Sequence, residues 1–396
     1  MGIKEQLGTE KVDIIVGIPS YNEENNIGFV TEQVVAGLKK YFSSYSCIII
    51  NLDNDSTDNT RQAFLGTFTD GIPAFYLSTP TGVRGKGNNL RNFFEIAKEL
   101  KPKACITVDS DLKNITPEWI KNLCQPLLEE YDYVTPIYAR HKYDGTITNN
   151  IVYPLLVGLF GYNIRQPIGG EFGFSSRLAE HWLSQEWSEN VRNYGIDVFM
   201  TVNAIIGGYN ICSTYLGAKI HKVKDPGESL GPMFRQVIGT LFTLIRAHHK
   251  ALDGKKIKEV KVFGNTHLEE PPLMCINTNT LLKAFNAGRA KHKELLKQSL
   301  SKESYAALKE IALETTSMKA EMWAKMLYEL LAAYEKSNRK EELLEAIQPL
   351  YFGRVYSFAK QTAGMSQQEA EQEVQRQARA FHELREYCLE LLKQEK

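Results

Sequence analysis

The sequence predicts an α/β fold with a mostly parallel sheet, helices on both faces, and an α-helical C-terminal region. Three observations predict it. First, short near-continuous apolar runs alternate with stretches of helical periodicity along the first part of the chain. Strands covered on both faces read as such runs, and the alternation implies parallel strands joined by right-handed crossovers. Second, polar or glycine-rich clusters follow the runs or open the helices, where an open α/β sheet takes its ligand. Third, beyond Pro271-Pro272 the chain becomes long amphipathic segments rich in Ala, Glu, Lys and Leu, which favour helix. This divides the chain into residues 1–268 and 269–396.

The elements follow in order. The run Val12 to Ile18 is a buried strand ending in Pro19-Ser20-Tyr21-Asn22-Glu23, and Ile27, Val30, Val34, Val35 and Leu38 then make one helix face. Cys47 to Leu52 is a second strand, closed by Asp53-Asn54-Asp55-Ser56. A helix from about Asn59 leads to a third strand near Ala74. Gly82 to Asn89 opens the next helix. Ala104 to Val108 is the fourth strand, and Asp109-Ser110-Asp111 follows at once. Pro117 starts a helix with Thr116 as N-cap. Tyr133 to Tyr138 is a strand, 151–162 packs as a helix, and 166–174 is a glycine-bearing loop. A helix follows Tyr194-Gly195-Ile196-Asp197, and Ile211 to Leu216 is a strand. The tail segments fall near 278–312, 315–335, 340–362 and 367–394. They suit a bundle, an oligomer interface, or both.

At 396 residues the chain is too long for one compact core and suits two domains, or one large domain with an extension, and 43% apolar residues suffice to bury a full core. Lys plus Arg equals Asp plus Glu at 47 each, which gives no general nucleic-acid footprint. The six cysteines show no close pairing, so neither a disulfide framework nor a zinc site is expected. The polar N-terminus lacks the apolar core of a signal peptide, and no apolar run is long enough to span a bilayer. A soluble cytoplasmic protein is expected.

Asp109 and Asp111 stand two apart after a strand, where alternate side chains share a side. Two carboxylates in one small volume suit Mg²⁺ or Mn²⁺ completed by substrate phosphates. Lys86 can pair with phosphate as a point charge, between glycines that permit close backbone approach and ahead of a helix N-terminus. Asp53 can accept hydrogen bonds from a base or ribose, or simply shape its turn. His221 can supply a nitrogen ligand to the cation. Asp197 suits acceptor binding or general-base work, or is a helix N-terminal acid favoured by the macrodipole. Glu171 has the same ambiguity.

Together Pro19 to Glu23, Asp53 to Ser56, Gly85-Lys86-Gly87 and Asp109-Ser110-Asp111 resemble the Rossmann-like GT-A glycosyltransferases, which use nucleotide sugars. More narrowly, Gln166 to Glu171, Tyr194 to Asp197 and Gly217 to His221 resemble the retaining synthases of mannosylglycerate and glucosyl-3-phosphoglycerate, which make compatible solutes or their precursors. The resemblance implies a GDP- or UDP-hexose donor held by Pro19, Tyr21, Glu23, Asp53, Lys86 and Asp109, and a divalent cation on Asp111 and His221. It places Gly169, Gly170 and Glu171 at the donor sugar, and Asp197, Thr146 and Thr148 at a small acid acceptor, beside which Arg140 is a further acceptor candidate by its charge. Those that use phosphoglycerate carry arginine where Thr146 stands, which weighs against a phosphorylated acceptor, although Arg140, His141 and Lys142 lie just upstream. A homo-oligomer, a dimer with the tail as its interface, is expected. The alternatives are an inverting family-2-like transferase acting on a lipid or polysaccharide, a nucleotidyltransferase, and a non-enzymatic nucleotide sensor.

Overall fold

The computed structural model describes residues 3–7, 11–220, 231–252, 256–265 and 270–394. They form two compact units that interleave along the chain. The first comprises Met1–Ala139, Gln166–Lys222 and Val260–Pro272, and the second Arg140–Arg165, Val223–Glu259 and Leu273–Lys396. The sequence reading placed a single cut at 268–269. Here 140–165 and 223–259 go with the C-terminal helices instead.

The first unit is built on an eight-stranded sheet: β1 (Ile14–Ser20), β2 (Cys47–Asp53), β3 (Ala74–Ser78), β4 (Ala104–Thr107), β5 (Tyr133–Ala139), β6 (Phe172–Phe174), β7 (Ile211–Ala218) and β8 (Lys261–Phe263). Their spatial order is β8-β7-β5-β6-β4-β1-β2-β3. Every pairing is parallel except those of β6, which runs antiparallel to both β4 and β5. The strands expected from the apolar runs are present, while β6 lies in a segment read as loop. At three residues, with a central glycine, β6 is too short to show a strand period.

Burial explains the apolar runs. All of β1 is buried, and Ile14, Val16 and Ile18 share a core with Val30, Val34 and Leu38 of the helix Ile27–Phe42. On the other face the helix Lys86–Leu100 presses so close that a β-carbon on Gly17 would lie 2.9 Å from both Leu52 and Phe93. The helix Pro117–Cys124 begins at its proline as expected, although Thr116 makes no side-chain capping bond.

The second unit is mostly helical. The stretch expected as one helix over 151–162 is a π–α–π run from Thr148 to Phe160. The tail expectations hold at Ala320–Lys336 and Lys340–Thr362, whereas 278–312 breaks into three helices and 367–394 into two. Helix Lys340–Thr362 is buried along most of its length, as expected of a bundle core. No helix among the described residues is long and apolar enough to cross a membrane.

Candidate active site

The site forms where the parallel strands end. Asp53 is the last residue of β2, Asp109 stands two residues past β4, and Lys219 directly follows β7. Lys86 opens the helix after β3. Because β6 is antiparallel, its beginning lies at this same edge: Phe172 pairs with Thr107 at the end of β4, and Glu171 immediately precedes it.

These residues form one charged cluster. Lys86 Nζ lies 3.2 Å from Asp109 Oδ1 and 3.5 Å from Asp197 Oδ1. Lys219 Nζ lies 3.3 Å from Asp109 Oδ2, donates to both Glu171 oxygens at 2.8 and 2.7 Å, and donates to the Gly169 carbonyl at 3.0 Å. The Tyr138 hydroxyl also donates to Glu171. Asp109 therefore bridges two lysines, and Glu171 is fully enclosed beneath one of them. Neither Lys219 nor Tyr138 was singled out from the sequence. The usable signal was position: Lys219 follows its strand just as the aspartates follow theirs.

The electrostatics follow from burial and pairing. Burial opposes ionisation of Asp109, yet Lys86 and Lys219 outweigh it and hold the carboxyl well below the usual range. Lys86 is likewise held as an ammonium: burial opposes its charge, and Asp109, Asp197 and Glu171 overcome that. Burial raises Asp197, with Lys86 opposing and Asp109 adding to the rise. Burial also pushes Glu171 up to about 7; Lys219 opposes that rise and Asp109 adds to it.

The Glu171 shift has a stability consequence. Its folded value exceeds its ordinary 4.5, so between those values the native state binds more protons than the unfolded chain, and stability falls as pH rises. The loss across that window is at most about 3 kcal/mol. Denaturant midpoints measured from pH 4.5 to 7 are expected to fall in the wild type and to fall less in Glu171→Gln; parallel slopes would refute the assignment. Asp109 acts with the opposite sign, its contribution being lost as pH falls below the ordinary carboxylate value.

The glycines have distinct jobs. Gly170 has φ +99°, and a β-carbon there would lie 2.5 Å from Asp109 Oδ2 and 3.0 Å from Lys219 Nζ. Gly170→Ala is therefore expected to cost about 1–3 kcal/mol and to displace Asp109, read as a lowered unfolding midpoint with loss of turnover. A variant of wild-type stability and activity would overturn this. Gly85 and Gly87, expected to admit a ligand, instead admit the chain itself. Their β-carbons would lie 2.3 Å from the Arg192 carbonyl and 1.9 Å from the Val191 carbonyl, and the Gly87 amide donates to Asn193.

The residues expected at the nucleoside knit three loops together. Asp53, 1% exposed, accepts from the Ser20 and Ser56 hydroxyls, the Ser56 amide and the Tyr76 hydroxyl. Of its two sequence readings, the turn reading describes these bonds. Asn54 and Asp55 accept the amides of Gly85 and Gly82, which draws in the loop before Lys86. Pro19 is buried at the end of β1, Glu23 accepts from Asn26, and the Arg84 guanidinium lies over the exposed Tyr21 ring.

Asp109 and Asp111 do not share a strand face, because β4 ends at Thr107 and Ser110-Asp111 form a turn. Among the described residues no hydrogen bond or ion pair engages the half-buried Asp111 carboxylate. His221 lies outside the described residues. Within them no three His, Cys, Asp or Glu side chains gather to hold a metal.

Arg140, Thr146 and Thr148 belong to the second unit. Arg140 pairs with Asp144 at 3.5 Å, Thr146 shares a hydrogen bond with the Tyr351 hydroxyl, and Thr148 is buried. Lys142, a sequence candidate for anion capture, donates instead to the carbonyls of Thr362 and Met365 at 2.7 and 2.6 Å. His141 is buried, and that burial, reinforced by Lys142, holds its imidazole below the ordinary value.

A parallel sheet whose carboxyl edge gathers lysines among buried carboxylates defines an α/β domain suited to a phosphorylated ligand. Residues 15–177 match the model of Glycosyl transferase family 2, so the chain carries a glycosyltransferase domain. No curated protein matches the chain. Among solved structures, glucosyl-3-phosphoglycerate synthase from Mycobacterium tuberculosis with Mn²⁺, UDP and phosphoglyceric acid is 28% identical, covering 59% of this chain and 78% of that one at a TM-score of 0.48. The same enzyme with Mg²⁺ and UDP is 26% identical, covering 59% and 79% at 0.47. With UDP-glucose, Mn²⁺ and phosphoglyceric acid the figures are 27%, 59%, 79% and 0.47.

Proposed function

We propose that the chain moves a hexose, glucose or mannose, from GDP- or UDP-hexose to a small acid such as D-glycerate or 3-phosphoglycerate, with a divalent cation and with retention. The observation that carries this reading is the double engagement of Asp109 by Lys86 and Lys219 at the sheet edge of a glycosyltransferase domain. A departing nucleoside diphosphate needs its charge met as the glycosidic bond breaks, and Lys86 and Lys219 both reach Asp109, close to where β4 and β7 end.

Three carboxylates, Asp109, Glu171 and Asp197, surround those two ammonium groups, and Asp111, two residues along the chain from Asp109, has no described protein partner. That excess of negative charge fits Mg²⁺ or Mn²⁺, which Asp111 and His221 would hold. When bound, the cation would neutralise diphosphate oxygens. Glu171 has both oxygens on Lys219 and one also on Tyr138, so it positions Lys219 rather than attacking. Asp197 Oδ1 is buried and faces Lys86 Nζ at 3.5 Å without a close hydrogen bond, which suits it to accept from a hydroxyl of donor or acceptor. A side chain at Gly169 would meet Pro136, and one at Gly170 would meet Asp109 and Lys219, so both glycines let the loop before Glu171 lie close to the donor side of the site in this reading. Arg140, Thr146 and Thr148 are the acceptor residues in this reading.

The test is an activity matrix of GDP- and UDP-hexoses against glycerate, phosphoglycerates and related acids with Mg²⁺ or Mn²⁺. Acceptor-dependent release of nucleoside diphosphate is expected, and its absence for every pair would sink the reading. The raised Asp197 carboxyl also suits a general base in an inverting reaction. Anomeric configuration of the product by NMR separates the two. A cytoplasmic location and assembly as a homodimer through the tail belong to the same reading; light scattering of the full chain tests the latter.

A further inference from the structure

We propose that Tyr351 and Arg354, both on the buried helix Lys340–Thr362, are positioning residues that fix the loop carrying Thr146 and so set acceptor affinity. This inference rests on the acceptor reading of Thr146 and Thr148.

The observations lie within the second unit. The Tyr351 hydroxyl is 2.5 Å from Thr146 Oγ1, and both residues are buried. Arg354 is 1% exposed, yet its recorded hydrogen bonds go to neutral groups: Nε donates to Gln377 Oε1 at 2.5 Å and a terminal nitrogen donates to the Met318 carbonyl at 3.1 Å. Gln377 passes the constraint on. Its amide donates to the Asn149 carbonyl at 2.8 Å and to Asn150 Oδ1 at 3.4 Å. Trp323 Nε1 donates to the Asn150 carbonyl at 2.7 Å. Arg165, paired with Glu371, donates to Asn149 Oδ1 at 2.8 Å, while the Asn149 amide donates to the Asp144 carbonyl at 3.0 Å.

Residues 144–150 are thus tied at both ends to helices two hundred residues further on, as the sequence separations of 205 for Thr146–Tyr351 and 228 for Asn149–Gln377 show. A guanidinium buried without a carboxylate in contact is costly, and apolar residues of similar volume are often at least as stable. Packing alone therefore does not account for Arg354, whereas orienting Gln377 toward the loop does. The run from Thr148 is π-helical, a geometry that often marks functional positions, and Tyr351 fixes the hydroxyl that directly precedes it by two residues.

The experiment uses the full chain. Wild type is first assayed for acceptor-dependent turnover; failure there refutes the functional reading and is seen before any variant is made. In an active protein, Tyr351→Phe keeps the ring and removes the hydroxyl. It is expected to raise the acceptor KM about tenfold while the donor KM stays unchanged, with a lowered unfolding midpoint because the buried Thr146 hydroxyl loses its partner. Arg354→Met is expected to raise the acceptor KM likewise, and to increase hydrogen exchange across 144–155. An unchanged acceptor KM in Tyr351→Phe, or an equal rise in donor and acceptor KM, would overturn the proposal; Tyr351→Phe keeps it decidable if Arg354→Met does not fold.

Discussion

Lys219→Met is expected to cost more than any other single substitution at the site. Its ammonium is 6% exposed and is the only cation in contact with Glu171 among the described residues, which is itself fully buried. Removing one partner of such a pair costs about 3–5 kcal/mol, since the remaining charge stays buried. The carboxyl can take up a proton, so the lower end of that range is expected near neutral pH. Asp109 also loses one of its two cations and is no longer fixed from the β7 side. Turnover should fall at least about a hundredfold. The double variant Lys219→Met/Glu171→Gln separates the two consequences: with no buried carboxylate left unpaired, it should recover much of the lost stability and none of the activity. Urea midpoints and kcat for the set decide the matter. A Lys219→Met protein with wild-type stability would mean that Glu171 does not depend on it.

Asp111→Ala is the second large effect, and its character is opposite. With the carboxylate half-buried and lacking a described protein partner, the substitution should leave the unfolding midpoint within about 0.5 kcal/mol of wild type. Metal-activated turnover should nevertheless drop by about a thousandfold, since the charge on the leaving diphosphate would be met by the lysines alone. Activity assayed across a Mn²⁺ series makes the comparison. A variant that is still activated by Mn²⁺ at wild-type level would remove Asp111 from the ligand set.

Local features of the chain were legible because they are written in local chemistry. β1, β2 and β4 are runs of apolar residues, and burial on both faces is the only setting that explains them. Asp109, Lys86, Glu171 and Asp197 were each marked by position relative to a strand or helix, and the structure brings all four together. What was missed depends on pairing between distant segments. Lys219 becomes meaningful only once β7 lies beside β5 and the loop before β6 folds across it. Gly85 and Gly87 read as ligand-facing because the segment 189–193 that fills the space beside them is a hundred residues away. The grouping of 140–165 with the C-terminal helices rests on Tyr153 and Val157 packing against Phe358, Ala370 and Val374, and on hydrogen bonds such as Thr146 to Tyr351 and Trp323 to Asn150, between partners far apart in sequence. Asp53, read as a partner for base or ribose with turn formation as the alternative, makes the hydrogen bonds of the turn.

The central claim is that the sheet edge holds a nucleoside diphosphate through lysines and a divalent cation. Calorimetric titration of the full chain with UDP and with GDP, in Mn²⁺ and again in EDTA, tests it most directly. One of the two diphosphates is expected to bind in Mn²⁺, to weaken at least about tenfold in EDTA, and to weaken again in Lys86→Met. Binding of neither diphosphate, or equal binding with and without the cation, would contradict the account.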